Sequence, residues 1–124
     1  MLRKTLALIA VAAATALALA AGAVARPNAK PTLVATVGPG FTLTVKMHNK
    51  AVKTLKAGVY KLVVHDKAAI HAFSLDGPHG YAKDFTTVPF VGTKTFKLKL
   101  VAGAYKAYCP PHEPNMFQHF SVTK

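Results

Sequence analysis

The segment Tyr108–Phe117, with the sequence YCPPHEPNMF, places a thiol, an imidazole and a thioether within a few consecutive residues. Thiolate and thioether sulfurs are soft ligands, and they favour copper over the hard cations calcium and magnesium. A trigonal thiolate site with a weak axial methionine also needs a second imidazole. His71, within the sequence AIHAFSL, is the best candidate. The predicted ligands of one copper ion are therefore His71, Cys109, His112 and Met116.

Together these four residues resemble the metal site of the cupredoxin family of blue copper proteins, of the plastocyanin, pseudoazurin and amicyanin type. The order also matches: one His on an early strand, a Cys at a strand end, a loop returning His and Met, and a final strand. Here the final strand would cover residues 120–123. The resemblance extends over most of the chain after residue 31, including residues 71–78 and 103–109.

The resemblance implies a type 1 copper site with the Cys109 thiolate and two imidazoles in a trigonal plane. Met116 would be a long axial contact whose identity tunes the reduction potential. Cycling between Cu(I) and Cu(II) would make the protein an electron carrier and not an enzyme. Electrons would leave through His112, at the solvent edge among the apolar residues Pro111, Pro114 and Phe117.

Two positions depart from the family pattern. Ala72 stands where many relatives carry an Asn whose side chain joins the two ligand loops, so that link is missing. Gln118 stands where relatives commonly have Gly, which predicts a different turn into the last strand. If Gln118 distorts this turn, His119 is close enough to the loop to be an alternative ligand.

Alternation of apolar and polar residues predicts half-buried strands through most of the chain. It is clear around residues 41–48, 60–66 and 96–100, with turns at 38–40, 56–58, 76–78 and 102–103. Short strands with frequent turns favour an all-β, Greek-key antiparallel β-sandwich of about seven or eight strands. Without the ligands, an immunoglobulin-like domain would fit equally well. Residues 77–92 are the least regular and are expected to form a long loop crossing between the sheets.

Residues 1–25 have the features of a secretory signal peptide, with Arg3 and Lys4 before an apolar core and a small-residue site ending at Ala25. An uncleaved membrane anchor is the alternative, since the apolar run approaches the roughly 20 residues needed to span a bilayer. Residues 26–31 would be a short lead-in and 32–124 one copper-binding domain. We expect an exported monomer located in the periplasm, at the cell surface or outside the cell.

Cysteine usage and charge limit the possible functions. A single Cys excludes an internal disulfide, and an unpaired thiol outside the cytoplasm is prone to oxidation unless a metal occupies the sulfur. The net charge of +12 predicts attraction to acidic redox partners or to an anionic cell-envelope surface, or else a solvated strand face. Nucleic acid binding is disfavoured because no binding motif is present.

Two further functions use the same residues. The protein could deliver or sequester copper without redox cycling, although extra Met-rich or His-rich tracts are absent from the sequence. A structural zinc site is disfavoured because zinc prefers Cys, His and carboxylate ligands over Met. An oxidase is disfavoured because a two-Cys binuclear centre and closely spaced His motifs are both missing.

Overall fold

The computed structural model describes residues 29–124, so the predicted signal peptide lies outside the described residues, as does the first half of the lead-in, residues 26–28. The ten strands in this range are β1 (Thr32–Val37), β2 (Leu43–Met47), β3 (Lys50–Ala51), β4 (Thr54–Lys56), β5 (Gly58–Asp66), β6 (Phe73–Asp76), β7 (Ala82–Thr86), β8 (Gly92–Leu100), β9 (Gly103–Tyr108) and β10 (Phe117–Thr123). One 3₁₀ turn, Pro110–His112, follows β9. Within residues 29–124 we find no helix long and apolar enough to cross a bilayer.

The strands form two five-stranded sheets that pack face to face. The first sheet has the order β3-β2-β1-β5-β8, and the second has the order β4-β10-β9-β6-β7. The predicted all-β sandwich is confirmed, but its sheets are mixed, because β1 pairs with β5 and β10 with β4 in parallel. The prediction of antiparallel pairing is wrong for these two pairs, since alternation shows which face of a strand is buried and not the direction of its neighbour.

The core lies between the inner faces of the two sheets. In β5, Tyr60, Leu62 and Val64 are buried, and the residues between them face outward. This alternation follows from the pleat, which turns successive side chains to opposite faces. From the second sheet, Phe73, Leu75, Tyr105 and Phe120 complete the same core. The apolar face predicted from period two is therefore the face that the sandwich buries.

The prediction of an uninterrupted loop over residues 77–92 is wrong for residues 82–86, which form β7 and pair with β6 at the edge of the second sheet. Only Phe85 and Thr86 of this strand are buried, so its sequence lacks clear alternation. The chain does cross between the sheets in this region, because β8 belongs to the first sheet. The count of ten strands exceeds the prediction partly because β3 and β4 are too short to show a period.

Gln118 links the two sheets near the ligand loop. The strand β10 begins at Phe117, three residues earlier than predicted, and the Gln118 side chain reaches the first sheet. Its Oε1 accepts from the Val45 amide at 2.9 Å, and its Nε2 donates to the carbonyls of Val45 and Val52 at 3.0 Å each. A glycine here could not make these bonds, so this departure from the family pattern is a structural bridge.

Replacing Gln118 by Ala should lower the free energy of unfolding by about 2 to 3 kcal/mol, since three hydrogen bonds of about 1 kcal/mol each are lost. The matched control is His119→Ala, which removes the exposed neighbouring side chain and should change the same quantity by no more than about 0.5 kcal/mol. Urea denaturation of both variants measures the difference. Equal destabilisation would show that the bridge does not stabilise the sandwich.

Candidate metal centre

The predicted ligand residues lie at one end of the sandwich, on segments that join strands. His71 precedes β6 by two residues, and Cys109 directly follows β9. His112 ends the 3₁₀ turn, and Met116 directly precedes β10. Because β9 is hydrogen-bonded to both β6 and β10, the sheet itself carries these segments to the same place.

Three ligand atoms converge at this end. Within residues 29–124, the donor atoms of His71, Cys109 and His112 all lie within 4.8 Å of one another. The two Nδ1 atoms are 3.2 Å apart, and the Cys109 sulfur lies 3.9 Å from Nδ1 of His71 and 3.6 Å from Nδ1 of His112. Metal bonds of about 2.0 Å to nitrogen and about 2.3 Å to sulfur, arranged trigonally, require separations of about 3.5 Å and about 3.7 Å. The donors therefore already have the spacing of a trigonal metal site.

The imidazole of His71 is fixed by the chain segment that precedes β2. Its Nε2 lies 2.8 Å from the Gly40 carbonyl oxygen, which can only accept, so Nε2 carries the proton. Nδ1 then keeps its lone pair and faces the other two donors. A second hydrogen bond that sets the tautomer is the usual way in which proteins orient a metal-binding His.

Phe41 packs against both imidazoles. Its ring meets those of His71 and His112 edge to face, with centroids 5.5 Å and 5.0 Å away. Alternation in the sequence assigned Phe41 to the buried face of a strand, but it lies before β2 and is 58% exposed. This residue covers the imidazole pair from the solvent side, and its role could not be inferred from the sequence.

The sulfur of Cys109 is fully buried and accepts a hydrogen bond from the backbone amide of Ala72 at 3.4 Å. The Cys109 amide in turn donates to the Met116 carbonyl at 3.0 Å, which closes the ligand loop. The Met116 side chain is 1% exposed. The loop is therefore held by its own backbone, and the amide of Ala72 connects it to the His71 segment even though the Asn side chain is missing.

The buried hydroxyl of Thr86 links the strand ends that lie next to the His71 segment. Thr86 accepts from the Phe73 amide at 2.9 Å and donates to the Asp66 carboxylate at 2.8 Å. Asp66 and Thr86 are each 1% exposed. These two residues join the ends of β5, β6 and β7 directly beside His71. Their role was not apparent from the sequence, since a Thr in a strand and an Asp at a strand end are ordinary.

Tyr108 is the last residue of β9 and anchors this strand directly before Cys109. Its hydroxyl donates to the Asp76 carboxylate at 3.2 Å, which ties β9 to β6. Burial, followed by the negative charge of Asp76, raises the pKa of Tyr108 above its ordinary value. The phenol therefore keeps the proton that it donates even at mildly alkaline pH.

The other histidines of the described range lie outside this cluster. His48, His79 and His119 are exposed, and His65 is half-buried beside Thr93. His119 packs on the ring of Phe117, with a centroid distance of 5.4 Å, along the outer side of β10. The strand direction set by Gln118 thus turns His119 away from the three converging donors.

The fold has counterparts among solved structures. Neither a family model nor a curated protein sequence matches the chain. A structure of the copper protein rusticyanin matches with a TM-score of 0.54 and 20% identity, covering 74% of this chain and 76% of that one. Reduced rusticyanin matches with 0.51 and 21%, covering 74% and 78%. Rusticyanin from Thiobacillus ferrooxidans matches with 0.50 and 22%, covering 74% and 76%. The likeness establishes the cupredoxin-like β-sandwich fold.

Gly38 and Gly40 provide a test of how the His71 imidazole is positioned. A Cβ at Gly38 would lie 2.8 Å from Cδ2 of the buried His71 ring, and Gly38 has a φ of +75°, whereas a Cβ at Gly40 would meet nothing within 4 Å. Gly38→Ala should lower the free energy of unfolding by at least about 1 to 2 kcal/mol from backbone strain. It should also weaken Cu(I) binding, because the ring is displaced.

Gly40→Ala is the matched control and should leave both quantities close to those of the unaltered protein. Urea denaturation and chelator competition for Cu(I) measure the two effects. Wild-type Cu(I) affinity in a folded Gly38→Ala variant would contradict the idea that this glycine sets the position of the ring.

Proposed function

We propose that this chain is an exported type 1, or blue, copper protein that carries single electrons between redox partners. The observation that carries the proposal is the convergence of His71 Nδ1, Cys109 Sγ and His112 Nδ1 within 4.8 Å of one another. One thiolate, two imidazoles and a weakly bound thioether are the donor set of blue-copper electron-transfer sites. The buried Met116, which closes the same loop, would supply the thioether.

The site favours copper because of its donors. Cys109 offers a soft thiolate, and Met116 is the sulfur-bearing residue at the other end of the same loop. Magnesium and calcium would require oxygen ligands, and the three clustered residues provide none. Copper bound here would supply one-electron chemistry by alternating between Cu(I) and Cu(II).

The surrounding residues would hold the ligand atoms in place while a bound copper ion changes its charge. The Gly40 carbonyl orients His71, the Ala72 amide donates to the Cys109 sulfur, and the loop closes through the Cys109 amide and the Met116 carbonyl. Pro110 and Pro111 fix their own φ angles and so reduce the freedom of the loop. A site that does not rearrange is suited to transferring electrons rather than to making and breaking bonds.

His112 is the proposed exit for electrons. It is half-buried, whereas His71 and Cys109 are fully enclosed. The ring of Phe41, which is 58% exposed, packs on His112 with a centroid distance of 5.0 Å, and the exposed Pro111 and Pro114 lie close to it in the chain. An apolar rim around one accessible ligand would allow a redox protein to approach the metal closely.

The proposal of export rests on the sequence of residues 1–25 together with the state of the only thiol. Cys109 is unpaired and fully buried, so in an oxidising compartment metal binding and burial would both protect the sulfur. Copper delivery without redox cycling would use the same donors. The optical spectrum of the oxidised protein separates the two functions.

Copper-loaded protein should be intensely blue or green in its oxidised state, through charge transfer from the Cys109 sulfur to Cu(II). Cys109→Ser should abolish this band, because the serine hydroxyl has no sulfur orbital from which charge could transfer to Cu(II). The control His119→Ala should retain it. Optical and EPR spectra at matched copper content measure the outcome, and a colourless wild-type protein with stoichiometric copper would disprove the assignment.

Met116→Leu should keep the colour and raise the reduction potential, because loss of the axial sulfur disfavours Cu(II) more than Cu(I). His119→Ala removes the rival donor and should leave the potential unchanged. Protein-film voltammetry compares the two variants with the unaltered protein. A shift confined to His119→Ala would reverse the axial assignment.

A further inference from the structure

The outward side of the first sheet carries a concentration of lysines. Lys46 of β2, Lys61 of β5, and Lys97 and Lys99 of β8 all occupy outward positions, between core residues that face the other way. Lys30 is exposed two residues before the start of β1. We use the name lysine face for the five residues Lys30, Lys46, Lys61, Lys97 and Lys99.

The lysine face contains like charges placed directly opposite each other. Lys61 pairs with Lys97 across the antiparallel β5–β8 ladder, and Lys99 lies two residues further along the same side. Directly opposed side chains have Cβ atoms about 4.5 to 5.5 Å apart, where like charges destabilise the pair. The arrangement therefore carries a repulsion that needs compensation.

Within the described residues the acidic side chains do not provide this compensation. Asp66 is buried on the inner side of β5, while Asp76 and Asp84 belong to strands of the second sheet. Glu113 follows the 3₁₀ turn and already pairs with Lys106 at 2.7 Å. The counter-charge for the lysine face therefore comes from outside the chain, either from salt ions or from an anionic partner.

Three of the lysines border one depression. Lys30, Lys61 and Lys97 line a shallow groove of about 400 Å³, together with Tyr60, Thr95 and Phe96. These lysines come from three separate parts of the chain and meet because β5 lies between β1 and β8. An anionic headgroup entering this groove would neutralise three charges at once.

The distribution of the charges indicates the shape of the partner. The lysines are spread over β2, β5, β8 and the segment before β1, so they cover a surface rather than follow a line. The remaining outward positions of β5 and β8 carry Val, Thr and His. Tyr60 and Phe96, the aromatic residues of these strands that line the groove, pack into the core, so no outward ring is available for a base to stack on, which disfavours single-stranded nucleic acid. A spread of point charges on a sheet is complementary to another broad anionic surface.

We propose that the lysine face binds the surface of a lipid bilayer that contains anionic phospholipids. Clustered lysines close to such a surface each increase the binding constant by about fivefold, through attraction to the headgroups. The hydrogen bond from Thr86 places Asp66, and with it the paired Gly92, at the metal-binding end of the sandwich. Lys61 and Lys97 lie five residues, or roughly 17 Å, further from that end along their strands. The protein could thus rest on a membrane by its side while the end bearing His112 stays open.

The test is sedimentation of the full chain with vesicles of phosphatidylcholine, with and without phosphatidylglycerol. We compare the triple variant Lys61→Gln, Lys97→Gln, Lys99→Gln with an equally charged control, Lys53→Gln, Lys56→Gln, Lys124→Gln, whose residues are exposed near the second sheet. At low salt the face variant should lose about a hundredfold in binding to anionic vesicles, since three lysines contribute about fivefold each. The control should lose much less.

Binding to neutral vesicles measures the contribution of the apolar residues 1–25, which are the same in all variants, and is subtracted from binding to anionic vesicles. Lys99→Gln alone should lose about fivefold, which keeps the proposal testable if the triple variant folds poorly. Equal losses in the two triple variants would overturn the proposal, because net charge alone would then explain binding. It would also be overturned if the face variant lost affinity for soluble polyglutamate while the unaltered protein ignored anionic vesicles, since the partner would then be an acidic polypeptide.

Discussion

The hydroxyl of Thr86 is the contact on which the organisation of the metal-binding end depends. It accepts a hydrogen bond from the Phe73 amide and donates one to Asp66, so a single oxygen joins three strand ends. A buried carboxylate is tolerable only when its oxygens have partners, and among the described residues every buried side-chain polar atom has one. Phe73 follows His71 by two residues, so its hydrogen bond to Thr86 fixes the position of the segment that carries the imidazole.

The relation between sequence and structure differs between the ligands and their supports. The chemistry of Cys109, His112 and Met116 could be recognised because these residues lie close together in the chain. Their soft sulfur ligands alone limit the choice of metal ion. His71 was identified by the order of motifs, and the structure brings it to Cys109 and His112. The supporting atoms are a carbonyl, an amide and a hydroxyl, which almost any sequence contains.

Gly40, Phe41 and Thr86 act through contacts between distant parts of the chain, and those contacts exist only after the sheets have packed. Gly40 could be assigned to a turn, but the donor to its carbonyl, Nε2 of His71, could not be predicted. In the same way, alternation revealed the buried faces of β5 and β8 but not the parallel pairing of β1 with β5. Strand direction depends on tertiary topology, and β7 lacks the alternation that would have disclosed it.

The sandwich also separates two physical environments. Its end combines enclosed donors with an apolar rim, whereas the outer side of the first sheet is wet and strongly positive. Core residues are the inward neighbours of the lysines along the same strands, as with Leu98 between Lys97 and Lys99. A period of two therefore lets one strand contribute to the core and to the charged surface without compromise.

The parallel pairing of β10 with β4 has a consequence for the kinetics of folding. Thr54 pairs with Ser121, so the register of β10 depends on a segment far back in the chain. Such non-local pairing makes β-sandwiches slow folders, on the order of milliseconds to seconds. Until β10 has paired, the hydrogen bond that closes the ligand loop between β9 and β10 is not formed. The Cys109 thiol then remains exposed to other molecules. Chains that meet in this interval in an oxidising environment would form intermolecular disulfides, so the yield of native protein should depend on how dilute the folding chains are.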